Sequence, residues 1–269
     1  MWRFVLILAW SLAFAAAAEG AGLSLQSHRA VYELALLNAR EGSLSSLSGR
    51  LVMEWGQDCD GYILNQRMVT AVDYARGGQA LNDFQVTSWE SRDGLVFRFS
   101  SRDATNGRVT EEIDGKAEMQ SAGTAGMVRF RKPRELELSL PAGTVFPSEQ
   151  AIQLIRAAEN GKKSRNLIVF DGSRVDGLYE TFNVIGNERP PQSESEAGKH
   201  ALLAGKRSWY VHIAYFAYQP GEPETGVPEF QIGYRLFQNG IATDIVLDYG
   251  EFSLGGELSA LEELPQPSC

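Results

Sequence analysis

The sequence contains little cysteine and little histidine, and the few residues of each type lie far apart. Among its 269 residues are two cysteines, Cys59 and Cys269, and three histidines, His28, His200 and His212. Zinc sites gather Cys and His ligands at short spacings, and redox-active cysteines usually occur as Cys-x-x-Cys. Because neither pattern occurs, we expect no metal, no cofactor and no catalytic cysteine.

Positive charge is also scarce. The chain carries 25 Lys and Arg residues against 34 Asp and Glu residues, which gives a formal net charge of −9. A protein with this balance is repelled by the phosphates of nucleic acids and by anionic membrane surfaces. We therefore expect no nucleic acid partner.

The common sequence signatures of enzymes are missing. There is no Gly-x-Ser-x-Gly elbow and no glycine-rich phosphate loop. Residues 58–61 read Asp-Cys-Asp-Gly, like part of a calcium loop, but Gly56 stands where the first ligand should be and no glutamate closes the loop. A hairpin turn is the favoured interpretation. We expect no catalytic residues and a protein that is not an enzyme.

The first residues have the pattern of a secretion signal. An apolar run from Phe4 to Phe14, too short to cross a bilayer, is followed by small residues from Ala16 to Ala18. We predict a signal peptide over residues 1–18 and a single mature domain over residues 19–269. A leader retained as a membrane anchor is the alternative. Since no later stretch is apolar enough to span a membrane, we expect an exported protein without a stable anchor.

Behind such a leader, the two cysteines suggest a single disulfide between Cys59 and Cys269. The bridge would close nearly the whole mature chain, and the chain-entropy model gives a stabilisation of about 5 kcal/mol for so long a loop, as an upper figure. A structural bridge is favoured over a redox-active pair.

Tight-turn signals divide the sequence into short segments. Asn-Gly or Asp-Gly dipeptides accept the positive φ angles of hairpin turns, so we expect most of them to join antiparallel strands. The segments between them alternate with period two, as in Phe230, Ile232, Tyr234 and Leu236. The pattern predicts a mainly-β protein of about a dozen or more strands, built from sequential hairpins. These dipeptides begin at residues 60, 93, 106, 114, 160, 171, 176 and 239.

One segment has helical spacing instead. It follows Pro147, ends at Asn160-Gly161, and we expect Ser148 to cap its first turn. The helix is expected either to plug or line a cavity on the concave side of a curved sheet, or to cover one edge of a sandwich. Its apolar positions are Ala151, Leu154, Ile155 and Ala158.

The segment from residue 209 to residue 218 is apolar on both faces, so the sheet must be covered on both sides there. One row can pack a core while the other lines a pocket, or the strand can be buried between two sheets. The second row is Tyr210, Ala214, Phe216 and Tyr218. We take as candidate cavity-lining residues Ile152, Ile155, Trp209, Val211, Ile213 and Tyr215.

Residues 187–198 are polar and without period, which predicts a flexible loop inside one continuous β-domain.

Several segments, taken in order, resemble a known family. They are residues 27–34, 48–52, 59–62, 140–147, 234–237, 239–240 and 248–250, together with the terminal cysteine. Their sequences resemble the EipB family of periplasmic cell-envelope integrity proteins from alphaproteobacteria. The resemblance implies a periplasmic open β-barrel, or β-spiral, wrapped partly around one helix and similar to lipoprotein-carrier folds. It also implies that Cys59 and Cys269 match the family's disulfide, and that the protein supports the envelope under stress without a known enzymatic activity.

Three functions follow in order of preference. The first is binding of an amphipathic ligand, such as a lipid, acyl chain or lipopeptide, in a half-open barrel. The second is a scaffold that docks another periplasmic envelope protein through its surface or a sheet edge. The third is a secreted hydrolase, for which the sequence offers no convincing polar constellation.

Overall fold

A computed structural model describes residues 23, 25–191, 200–219 and 226–269. The predicted signal peptide, residues 1–18, lies outside these ranges. So does most of the predicted loop, because residues 187–189 still belong to a strand and residues 192–198 are not described.

The described residues form fifteen strands, one α-helix and one short 3₁₀ helix at Ala201–Leu203. The α-helix, α1, spans Pro147–Glu159 between β9 and β10. The strands are β1 (His28–Ala39), β2 (Leu44–Gln57), β3 (Gly61–Tyr74), β4 (Gln79–Ser91), β5 (Val96–Thr105), β6 (Arg108–Met119), β7 (Gly126–Lys132), β8 (Leu136–Leu140), β9 (Thr144–Val145), β10 (Leu167–Phe170), β11 (Leu178–Arg189), β12 (Ser208–Ala217), β13 (Phe230–Phe237), β14 (Ala242–Asp248) and β15 (Phe252–Glu263).

All fifteen strands belong to one sheet, in the order β8-β7-β6-β5-β4-β3-β2-β1-β15-β14-β13-β12-β11-β10-β9. Neighbours in this order are antiparallel, apart from the short parallel pair β9–β10. Because almost every strand pairs with the next one in sequence, hairpins build the two arms of the sheet, and the β1–β15 pair joins the arms. The predicted mainly-β fold of sequential hairpins is confirmed.

Six of the eight Asn-Gly and Asp-Gly pairs join paired antiparallel strands, as predicted for most of them: those beginning at residues 60, 93, 106 and 239 lie in short turns, and those at 171 and 176 lie in the longer loop between β10 and β11. In the turn between β5 and β6, Asn106 has a φ of 52° and Gly107 a φ of 77°, the positive values that a two-residue turn requires. The pair Asp114-Gly115 is different, because it lies inside β6. A Cβ at Gly115 would come within 2.6 Å of the Phe99 ring, so close packing, and not a turn, requires glycine there.

The sheet curls until residues from its two arms meet. Phe170 lies on β10, near one end of the strand order, and Phe97 and Phe99 lie on β5, in the other arm. The Phe170 ring centroid is 5.3 Å from that of Phe99 and 6.3 Å from that of Phe97, both in edge-on geometry. These edge-on contacts close much of the gap between the arms and give the sheet a barrel-like shape.

Helix α1 is held between the two arms. Its apolar face packs against β11, β12 and β13, while its N-terminus is bonded by a carboxylate from β4. The backbone N–H groups of Ser148 and Glu149 donate to Glu90 over 2.7 and 2.9 Å. The predicted cap by Ser148 is wrong, because Phe146 occupies the cap position without a side-chain hydrogen bond and Glu90 satisfies the free N–H groups instead.

Within the described ranges, no helix is both long enough and apolar enough to cross a membrane.

Candidate functional site

The six residues that the sequence predicts to line a cavity lie in the interior between α1 and the sheet. All six are at most 7% exposed and belong to one apolar cluster, here called the helix cluster. They comprise Ile152 and Ile155 from α1 and Trp209, Val211, Ile213 and Tyr215 from β12. The structure therefore brings the six together, but as a packed core. The apolar face of α1 occupies the space that a cavity beside β12 would need.

Strand β12 separates this core from the outer surface. Its alternate row points away from the helix, and Tyr210 on that row is 38% exposed. The second row therefore does not line a pocket, and β12 is not buried between two sheets. Both alternatives are wrong because the outward face of β12 reaches solvent at Tyr210. The apolar character of both rows has two separate causes, the core on one side and an exposed patch on the other.

Further along the interior, inward-facing apolar residues keep part of their surface accessible. On β2, Met53 pairs with the fully buried Ala30 of β1, which shows that Met53 faces inward. On β13, Ile232 pairs with Ile213 of the helix cluster, so it faces inward as well. This partly accessible set, here called the inner wall, consists of Met53, Trp55, Leu64, Met68, Ile232, Tyr234 and Leu247.

The inner wall lies between packed regions and not at an outer edge. Tyr234 contacts the helix cluster and also a second cluster around Tyr32 and Phe237. Leu247 contacts that second cluster and a third one around Leu254. Packed side chains therefore support the inner wall from several directions while its own surface remains partly accessible, as expected for the lining of a concave site.

The inner wall carries no titrating charge at neutral pH. Burial raises the pKa of Tyr234 well above its ordinary range, and burial also raises the pKa of Tyr215 in the neighbouring core. Both phenols therefore stay protonated and can donate hydrogen bonds. Such a surface suits an apolar chain with an occasional polar group better than an ionic substrate.

Sequence reasoning missed the inner wall as a set. The signal was present in β2, where Leu51, Met53 and Trp55 share one face of the strand, and in the row that begins at Phe230. Period two identifies the inward face of a strand. The period does not show which inward side chains are covered by a neighbouring element. Covered side chains form the packed core, and those left partly accessible form the inner wall.

The two cysteines meet at the turn between β2 and β3. Cys59 and Cys269 form a disulfide across 210 residues, with 5.7 Å between their Cα atoms. The neighbouring Asp58 carboxylate accepts hydrogen bonds from the backbone N–H groups of Asp60 and Gly61 and from Nε1 of Trp89. The fragment that resembles a calcium loop thus uses its first carboxylate to hold the hairpin turn and the adjoining strand β4.

Comparison with known proteins gives consistent matches over most of the chain. A family model described as EipB-like matches residues 19–265. The cell envelope integrity protein EipB of Brucella abortus (strain 2308) is 36% identical over 261 residues, which cover 95% of this chain and 90% of that protein. A crystal structure from Brucella abortus, described as a β-barrel-like protein of a domain of unknown function, superposes with a TM-score of 0.78 at 34% identity. The superposition covers 90% of this chain and 100% of the other.

Proposed function

The chain belongs to the EipB-like family, and on that basis we propose that it supports the cell envelope as a non-enzymatic periplasmic protein that binds an amphipathic ligand along its inner wall. The family membership and the barrel-like fold confirm the resemblance read from the sequence. The observation that carries the ligand proposal is the partly accessible apolar surface inside the sheet, between Met53 and Trp55 on one arm and Ile232 and Tyr234 on the other.

The chemistry of the inner wall favours an acyl chain. Each methylene moved from water to such a surface contributes about 0.8 kcal/mol. About ten methylenes therefore supply a gross free energy near that of micromolar affinity, about 8 kcal/mol, before the cost of association is subtracted. The two methionines of the wall, Met53 and Met68, add flexible side chains that adapt to chains of different shape.

The buried carboxyl groups of Glu90 and Asp171 have structural roles, which agrees with a protein that binds a ligand. Burial raises the pKa of Glu90 to about 7 and that of Asp171 to about 6, values that often occur in catalytic sites. Both groups have structural partners here. Glu90 binds the N-terminus of α1, and Asp171 accepts hydrogen bonds from the backbone and side chain of Ser173. In both cases the hydrogen bonds of the carboxyl group hold a local backbone segment, the first turn of α1 for Glu90 and the chain at Ser173 for Asp171.

The test is binding of a fluorescent fatty-acid probe to the purified protein and to variants at two adjacent positions of β3. Met68 faces inward, next to the second cluster. Val69 faces outward, between Arg50 and Asp83. Met68→Glu places a charge on the apolar wall and should weaken probe binding at least about tenfold, while Val69→Glu should leave it within about twofold.

Met68→Trp provides a second variant that fills space without adding charge. It should also weaken binding of the longer probes. If both Met68 variants fold with unchanged melting temperatures and bind the probe as the wild type does, the inner wall is not the ligand site.

A second candidate function rests on a separate observation, the exposed apolar patch on the outer face of β11 and β12. Phe182, Val184 and Tyr210 are 45%, 42% and 38% exposed, and Val184 pairs across the strands with His212. Exposed apolar residues grouped on one face are typical of protein contact sites. This face is where a scaffold would dock another envelope protein.

Site-specific photocrosslinking in the periplasm distinguishes this function. A photoreactive amino acid at Phe182 should give one dominant crosslinked species. The same group at Leu81, an equally exposed apolar residue on β4, should not. Equal crosslinking from both positions would exclude a specific docking face on β11 and β12.

A further inference from the structure

A groove runs along the side of α1 that faces away from the helix cluster. Its volume is about 610 Å³, which is large enough for a small polar ligand or a headgroup. One wall is the solvent face of the helix, where Glu149, Gln153 and Arg156 recur at helical spacing. The other wall is the chain that follows the helix, with Lys162 and Arg165.

A turn at the end of the helix brings the second wall into place. Gly161 has a φ of 70°, which lets the chain reverse direction directly after α1. Arg165 then lies beside the helix, and its Nε and Nη2 donate to Oε1 of Gln153 over 3.2 and 2.8 Å. Gln153 in turn donates from Nε2 to Glu149 over 2.9 Å. The guanidinium of Arg165 is therefore oriented along the groove by a neutral side chain.

The positive charges of the groove have no acidic partner. Among the described residues, no carboxylate lies within 4.0 Å of the side-chain nitrogens of Arg156, Lys162 or Arg165. The nearby Glu159, which could serve, already pairs with Arg207 over 3.1 Å. Three cations without an ion-pair partner therefore line one groove, against the single carboxylate of Glu149, in a chain whose net charge is −9.

The helix dipole explains only part of this arrangement. Cations near a helix C-terminus interact favourably with the dipole, which accounts for Lys162 and Arg156. The last carbonyl groups, however, are already occupied by backbone N–H donors, including Gly161 to Ala158 and Lys162 to Ala157. Arg165 lies beyond the last turn and is held beside Gln153. The side-chain donors of Arg156 and Lys162, and Nη1 of Arg165, remain available to a ligand.

We propose that this groove binds a phosphate group, either free or carried by a phospholipid headgroup. Guanidinium groups match the geometry of phosphate oxygens and bind them through paired hydrogen bonds, and a lysine adds a mobile point charge. The groove is lined by exposed polar side chains and is separated from the inner wall by the body of the helix. This site is therefore distinct from the apolar ligand site proposed above, and its test does not depend on that proposal.

The experiment compares the wild type with the triple variant Arg156→Gln, Lys162→Gln and Arg165→Gln. The matched control is a second triple variant, Arg76→Gln, Arg108→Gln and Arg134→Gln, which removes the same charge from three exposed arginines in other parts of the chain. Binding of inorganic phosphate is measured by calorimetry. Binding to vesicles of phosphatidylglycerol, with phosphatidylcholine vesicles as reference, is measured by co-sedimentation, both at low and at physiological ionic strength.

The proposal predicts that the groove variant binds phosphate at least about tenfold more weakly than the wild type, while the control variant stays within about twofold. Tighter binding to phosphatidylglycerol vesicles than to inorganic phosphate identifies a headgroup ligand, and binding of inorganic phosphate alone identifies a free anion. The single variant Gln153→Ala should lose part of the affinity, because Arg165 loses its orienting partner.

Two results would overturn the proposal. One is a wild type that binds neither probe at low ionic strength. The other is an equal loss in the groove and control variants, which would show that only net charge matters. Because all six substituted side chains are exposed, unchanged melting temperatures should show that both triple variants are folded.

Discussion

The Glu90 side chain, on β4, accepts a 2.7 Å hydrogen bond through Oε2 from the backbone N–H of Ser148, in the first turn of α1. The two residues are 58 positions apart in the sequence, so a distant strand performs the task that a local cap usually performs. The contact fixes the N-terminus of the helix against one arm of the sheet, while the helix cluster fixes its side against the other arm. The position of α1 therefore depends on this buried carboxyl group as well as on the helix cluster.

A pH dependence follows from the environment of Glu90. Burial raises the pKa of this carboxyl to about 7 from an ordinary value of 4.5, although the N–H groups of Ser148 and Glu149 act in the opposite direction. A group whose pKa is raised on folding binds more protons in the folded state, so its contribution to stability is present below about pH 4.5 and is lost as the pH rises through about 7. We expect Glu90 alone to make the protein about 3 kcal/mol less stable at about pH 8 than at about pH 4.5.

The measurement is urea unfolding across this pH range for the wild type and Glu90→Gln, which does not titrate. The difference in unfolding free energy between the two proteins should change with pH over the window and become constant above it. A constant difference at every pH would show that Glu90 does not titrate in this range. Asp171, whose pKa is raised to about 6 by burial, titrates in both proteins and cancels from the comparison.

The disulfide between Cys59 and Cys269 should contribute strongly to stability. It constrains the unfolded chain across 210 residues, and loss of a native bridge typically costs about 2–5 kcal/mol. We expect Cys59→Ser and Cys269→Ser to lower the melting temperature in oxidising buffer, and reductant to lower the melting temperature of the wild type by a similar amount. The double serine variant serves as control, since its melting temperature should not respond to reductant. Equal melting of wild type and variants in oxidising buffer would contradict a stabilising bridge.

Shortening a side chain of α1 should lower the stability of the protein only where that side chain belongs to the helix cluster. Ile155 is fully buried there, so Ile155→Ala should destabilise the protein by about 2–5 kcal/mol. The adjacent Arg156 is exposed, and Arg156→Ala should change the free energy of unfolding by less than about 0.5 kcal/mol. Chemical denaturation of both variants checks the prediction. Similar effects at the two positions would mean that the helix does not bury this face.

Glycine packing in the sheet gives a further test. A Cβ at Gly115 would lie 2.6 Å from Cζ of Phe99 and 2.8 Å from the carbonyl oxygen of Arg129. Gly115→Ala should therefore destabilise the protein by about 1–3 kcal/mol through overpacking. Gly56 also lies within a strand, but a Cβ added there would meet no atom within 4 Å, and Gly56→Ala should be neutral or slightly stabilising. A neutral Gly115→Ala in thermal melts would show that the β5–β6 contact relaxes easily.

Local patterns in the sequence were sufficient to predict the strands, the hairpins and the helix. Alternation in the segment that contains Trp209 and Ile213 separated its two rows, because side chains on a strand alternate with period two, and the structure shows that the row of Trp209 and Ile213 is the buried one. The helical spacing of Leu154 and Ile155 likewise identified the buried face of α1. Both signals arise within a few residues of chain.

Features that depend on distant segments could not be predicted in the same way. The cap supplied by Glu90 comes from another arm of the sheet, and a glutamate inside a strand pattern looks like an ordinary surface residue. The inner wall also depends on contacts between distant segments. Met68 and Tyr234 resemble core residues in sequence, and only the curvature of the sheet and the position of α1 decide which inward residues remain accessible.

Native mass spectrometry of the protein exported to a periplasm, followed by organic extraction and lipid identification, shows whether the inner wall holds an amphipathic ligand. We expect a mass above that of the polypeptide, an extractable molecule with an acyl chain, and a reduced amount of that molecule in Met68→Trp. A protein that carries only its polypeptide mass, in wild type and variant alike, would contradict the claim and favour docking through the outer face around Phe182.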